Sequence, residues 1–205
     1  MNLALLSAFV PTFFFVSITP GMCMTLAMTL GMTIGVKRAL WMMLGELVGV
    51  AMVAILSAIG VAALLLNYPS VFMLLKYIGG AYLAFIGLQM WLSKGKMAIK
   101  MDETGKPASR FELISQGFVT AIANPKGWAF FVALLPPFLD TSQPLASQLT
   151  VLIAIILTLE LICLLIYAAG GRTLKAILMQ SGNVRIMNRI AGSLMIGVGV
   201  WLALG

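Results

Sequence analysis

The sequence predicts an all-α integral membrane protein with six transmembrane helices in two inverted three-helix repeats. Three observations lead there. First, the chain is apolar: 61% of its 205 residues are hydrophobic and only 9% are charged. Its mean hydropathy is +1.08, and soluble domains carry about 25% charged residues. Second, the apolar residues fall in segments of about 20 residues or longer, which suits spanning helices rather than barrel strands. Third, the basic residues sit in alternate connections, which assigns an orientation.

The segments lie at 3–32, 39–66, 70–92, 113–136, 148–170 and 188–204. No Lys, Arg, Asp or Glu precedes Lys37. A straight helix over that first run would reach roughly 50 Å at about 1.5 Å per residue, against a bilayer core of about 30 Å. Thr19-Pro20-Gly21 interrupts it. Proline removes a backbone donor and clashes with the preceding turn, and glycine adds freedom, so the run kinks or breaks there. The fourth segment carries a second break at Asn124-Pro125-Lys126-Gly127. Asn67-Tyr68-Pro69 reads as a tight turn between the second and third segments. Gly31 and Gly35, and Gly45 and Gly49, are spaced four apart, as in closely packed helices.

The polar stretch from Ser93 to Arg110 separates two halves. The division is a first repeat at 1–92, a cytoplasmic linker at 93–112 and a second repeat at 113–205. Lys37 and Arg38 lie in the first connection. Lys94, Lys96, Lys100, Lys106 and Arg110 lie in the third, and Arg172, Lys175, Arg185 and Arg189 in the fifth. Excess Lys and Arg marks the cytoplasmic side, so both termini face out. Three spans per half then force the second half to run opposite to the first, an arrangement common in secondary transporters. Each half has a proline break in its first span, one carboxylate in its second, and a basic residue shortly before glycine in its third (Lys76 to Gly79, Arg189 to Gly192).

The net charge of +7 sits in connections, so it orients the chain toward a lipid bilayer and implies no nucleic acid. No cleavable leader is expected, because the N-terminus lacks a basic region and the first apolar run is too long. Cys23 and Cys163 both lie inside apolar segments and form no metal-ligand spacing or disulfide framework. The chain has no histidine.

The candidate site residues are Thr19, Pro20, Gly21, Glu46, Asn124, Pro125 and Glu160. Both breaks fall near mid-bilayer. Irregular backbone at that depth must be shielded by protein or line a cavity. A broken helix presents free N–H groups and a positive dipole end, which suit a carboxylate. Either break can equally be a plain kink, since prolines are frequent in spanning helices. Glu46 and Glu160 lie deep in the second and fifth segments, where a charge costs at least about 2.5 kcal/mol on insertion scales. Each can hold the ammonium of a zwitterion, bind and release a proton, or form an ion pair with Lys126. The fifteen methionines read as apolar filler. Trp41, Trp91 and Trp201 suit interfacial anchoring, whereas Trp128 lies too deep for it.

These residues carry a resemblance. Thr19-Pro20-Gly21, Lys76 through Leu83 with Gly87, Gly117-Phe118 leading to Asn124-Pro125-Lys126, and Phe131 through Phe138 together resemble the lysine exporter / homoserine–threonine exporter (LysE/RhtB) family of bacterial amino-acid exporters. The resemblance runs nearly the whole length. Met22 stands where that family usually has a second proline, and Glu46 where it often has Asp. The resemblance implies an inner-membrane exporter of amino acids or related metabolites, with the proton as coupling ion. The expectation is therefore a transporter rather than an enzyme, with no cofactor and no metal; a homo-oligomer is left open. Glu46 and Glu160 are the candidates for proton coupling. The rival expectations are a thiol–disulfide electron carrier, invited by Cys23 beside Pro20, and an exporter of metal or other cations.

Overall fold

The computed structural model describes residues 3–92, 108–135, 138–139, 143–179 and 181–204. The described residues are helical, with no strand among them. The helices are α1 (Leu3–Ile18), α2 (Met22–Thr33), α3 (Val36–Asn67), α4 (Pro69–Leu92), α5 (Arg110–Ile122), α6 (Pro125–Leu134), α7 (Leu145–Met179) and α8 (Ser181–Leu204). Most of the stretch read as a linker, 93–107, lies outside the described residues, as do Pro136, Pro137 and Asp140.

Both expected breaks occur. Phe9–Ile18 and Met22–Thr33 are bent by 57° across Thr19-Pro20-Gly21. The fourth segment divides into α5 and α6 at Ala123-Asn124. The turn at Tyr68 separates α3 from α4 as expected. α5 begins at Arg110 under a capping box. Ser109 Oγ accepts from Glu112 N at 3.2 Å, and Glu112 Oε2 accepts from Ser109 N at 2.6 Å. Two boundaries differ from expectation. α7 continues to Met179 across Gly171, which leaves helical geometry at φ 39°. α8 starts at Ser181, seven residues before the apolar run, because its first two turns are polar on one side and still pack.

Val36–Gly60 and Leu145–Gly171 are each long and apolar enough to cross a membrane. The bent pair α1–α2 meets the same test as one broken span. The outward faces are apolar: Leu44, Val48 and Ile59 on α3, and Ile78, Phe85 and Leu88 on α4, are exposed. Such surfaces suit lipid rather than water.

Lipid gives little drive for helices to associate, so close packing must do it. Glycines provide it. A methyl group added to Gly45 of α3 would strike Ile114 O of α5, and one on Gly117 of α5 would strike Met42 O of α3. Gly31 of α2 abuts the Ala168 backbone of α7. Gly87 of α4 and Gly192 of α8 face each other in the same way. Gly35 does something else. It turns the chain from α2 into α3 at φ 80° with open space around it. Its role is the left-handed residue after a helix end, where Ile34 N donates to Leu30 O. At one end of the bundle Arg38 Nη2 donates to Ala108 O at 2.6 Å, and the Arg110 guanidinium covers Trp41 at 5.1 Å. Arg189 covers Trp91 at 4.8 Å.

Candidate functional site

The first break exposes carbonyls that a continuous helix would satisfy. Val16 O should accept from the amide four residues on, but that residue is Pro20 and has no N–H. Lys126 of α6 takes its place, with Nζ donating to Val16 O at 2.8 Å. Tyr167 of α7 donates its hydroxyl to Ile18 O at 2.7 Å, and Thr19 Oγ1 donates to Phe15 O at 2.6 Å. A lysine is well placed here, because the C-terminal end of a helix carries partial negative charge. After the break, α2 starts from Gly21 in extended conformation with no side-chain cap. Its first amides therefore stay open to another acceptor.

The second break is built differently. Asn124 caps α6, its Oδ1 accepting from Lys126 N at 3.2 Å, and Pro125 follows at the first helical position. Proline is suited there, since that N–H would be unused. At the end of α5, Trp128 Nε1 donates to Ile122 O at 2.9 Å. This explains a tryptophan too deep for interfacial anchoring. Its indole closes the carbonyl end of the half-helix before it.

The two breaks frame a cavity of about 60 Å³. Thr19, Gly21, Glu46, Asn124 and Glu160 all line it, so five of the seven candidate residues come together. Pro20 and Pro125 shape the backbone at the two breaks. Ser17, Cys23 and Lys126 add polar atoms, and Phe13, Phe130 and Phe131 form an aromatic side. Asn124 Nδ2 reaches Cys23 Sγ at 3.9 Å, joining the two breaks across the cavity. Cys163 is buried in the neighbouring cluster with Met28, Leu164 and Tyr167.

The carboxylates set the electrostatics. Glu46 is 0% exposed, and neither of its oxygens has a hydrogen-bond partner among the described residues. Its polar neighbours are Glu160 and Cys23. Glu160 is 8% exposed and lies beside Ser17, Glu46 and Lys126. The Lys126 ammonium, a candidate ion-pair partner on sequence grounds, donates to Val16 O. The cavity thus holds one more carboxylate than cation. A buried charge without a partner is costly.

Lys126 and Tyr167 are the residues whose part the sequence conceals. The missing Pro20 N–H points to an orphan carbonyl but not to its donor. Tyr167 lies seven residues after Glu160, two turns along the same face of α7, which is the one signal available for it.

Comparisons with known proteins place the sequence in a family. Residues 14–205 match the family model described as LysE type translocator. A membrane protein of Vibrio cholerae is 28% identical over 203 residues, covering 99% of this chain and 98% of its own length. A homoserine/homoserine lactone efflux protein of Salmonella typhi is 28% identical over 76% of this chain and 74% of its own length. A leucine efflux protein of Enterobacter sp. (strain 638) is 26% identical over 93% of this chain and 90% of its own length. No solved structure matches. With the match to the family model running from the end of α1 through the last helix, this chain belongs to the LysE family of translocators.

Proposed function

We propose that this protein exports small amino acids or closely related metabolites across the cytoplasmic membrane in exchange for protons. Six segments cross the bilayer: α1 with α2, α3, α4, α5 with α6, α7, and α8. They form two inverted three-helix repeats with both termini outside. The relatives named for homoserine, homoserine lactone and leucine efflux support the cargo class. The observation that carries the mechanism is the cavity between the two helix breaks, with two carboxylates against one lysine.

A zwitterion fits that charge pattern. Its ammonium takes the surplus negative charge of Glu46 and Glu160. Its carboxylate meets the uncapped amides at the start of α2 and the Lys126 ammonium. A proton fills the same vacancy in charge once cargo has left. Cargo and proton therefore compete for one site, which is a sufficient basis for exchange. Alternating access follows if the half-helices on either side of the breaks rock about the site.

Uptake of labelled homoserine and leucine into inverted vesicles, with and without an imposed pH gradient, tests this. Gradient-driven uptake is expected. Glu46→Gln and Glu160→Gln should each abolish it while membrane insertion stays intact. Full uptake by both variants would refute the carboxylate mechanism.

A further inference from the structure

The cavity is closed on its two sides by different materials. Toward the end that carries Arg38 and Arg110, the seal is helix against helix, with the backbones of α3 and α5 in contact at Gly45 and Gly117, a contact that runs on past Glu46 to Gly49 beside Phe118 and Ala121. On the opposite side the seal is five phenylalanine rings. Phe9 stacks on Phe13 at 5.8 Å and meets Phe138 edge-on at 5.0 Å. Phe13 lies 5.4 Å from Phe130 and 6.2 Å from Phe131. All five rings are buried. They come from α1, from α6 and from just beyond α6, which are the elements on either side of the site.

Behind the rings, α3 continues the face that carries Glu46. Val50, Val53 and Ser57 fall within roughly 40° of Glu46 around the helix, at about 100° per residue. Ser57 is buried, and its hydroxyl has no hydrogen-bond partner among the described residues. It stands roughly 16 Å farther along α3 than Glu46, at about 1.5 Å per residue. An unsatisfied hydroxyl inside an apolar cluster is a cost that packing does not explain.

We propose that the five phenylalanines are the outer gate of the export route. Ser57 is the polar group that cargo meets as it leaves along α3. The inference rests on the exporter reading and its orientation, with the N-terminus outside. Rings can swing aside about their side-chain bonds, whereas the inner seal opens only if whole helices part. Opening the outer side thus requires the rings of α1 and α6 to separate, and Ser57 offers a hydrogen bond to an ammonium or carboxylate in transit.

Cys23 lines the cavity and reports whether the gate is open. In a Cys163→Ser background, labelling of Cys23 by a charged, membrane-impermeant methanethiosulfonate is followed in right-side-out and inverted vesicles. Phe13→Ala and Phe130→Ala remove rings that hold the closed state, so labelling from the outside should rise about tenfold or more. Labelling from the cytoplasmic side should not rise. In an otherwise unaltered gate, with Cys23 and Cys163 both replaced by Ser, Ser57→Cys should label from outside faster than Cys23 does. Labelling that rises only from the cytoplasmic side, or a Ser57→Cys slower than Cys23, overturns the gate. Labelling after solubilisation in detergent shows that each variant is present and reactive, so an unchanged outside rate also overturns it. Export of labelled leucine and homoserine by the same vesicles separates the two readings. Gate behaviour without export of either leaves the gate standing and refutes the cargo.

Discussion

Replacing Lys126 with methionine removes the ammonium that donates to Val16 O at 2.8 Å. Pro20 has no N–H to offer in its place, so a buried carbonyl is orphaned. Interhelical hydrogen bonds in a bilayer average about 0.6 kcal/mol and reach about 1.7. A charged donor and an acceptor with no alternative place this one near the top of that range, at about 1–2 kcal/mol. Thermal unfolding of the purified protein in detergent should fall by about 2–8 °C, at roughly 2–4 °C per kcal/mol for a chain of this size. The decisive comparison uses Pro20→Ala, which restores an amide four residues after Val16. In that background the helix can close its own hydrogen bond, and Lys126→Met should cost less than it does with Pro20 present, the remaining loss being that of the one ammonium beside Glu46 and Glu160. The double-mutant cycle should therefore show a coupling of about 1–2 kcal/mol. An equal loss from Lys126→Met with and without Pro20 would refute the capping argument, because the lysine would then act without reference to the missing donor.

Gly45→Val should cost about 3 kcal/mol or more and yield little folded protein, since the added carbons meet the Ile114 carbonyl rather than a side chain that can move. Gly35→Ala has open space but a φ of 80°, so it should cost only about 1 kcal/mol of backbone strain and leave transport in place. Detergent-stable yield and a melting curve separate these two glycines. Tyr167→Phe keeps the ring but removes the donor to Ile18 O, and should lower the melting temperature by an amount equivalent to about 1 kcal/mol.

The parts of the molecule that obey local rules were legible. A proline inside a run too long for the bilayer announces a break, and both breaks stand where the prolines are. A carboxylate inside an apolar segment must turn inward, and Glu46 and Glu160 do so, onto one cavity. What tertiary contact decides was hidden. Lys126 meets Val16 across 110 residues and Tyr167 meets Ile18 across 149, and no spacing rule connects such positions. Gly35 shared the spacing of a packing glycine, yet it has open space around it and a positive φ that turns the chain from α2 into α3. Phe9 and Phe13 stand one helical turn apart on α1, but their junction with Phe130, Phe131 and Phe138 exists only once α1 and α6 meet.

The long reach of the two caps also bears on how the protein is made. When the first segment enters the membrane, its broken end has neither of its distant donors. Lys126 and Tyr167 lie downstream by 110 and 149 residues, and at about 5–20 residues per second they follow roughly 5–30 s later. Until then Val16 O and Ile18 O must find water or another temporary donor. The first segment to be inserted is thus among the last to reach its final shape, and a chain cut short before α7 leaves its opening helix unfinished.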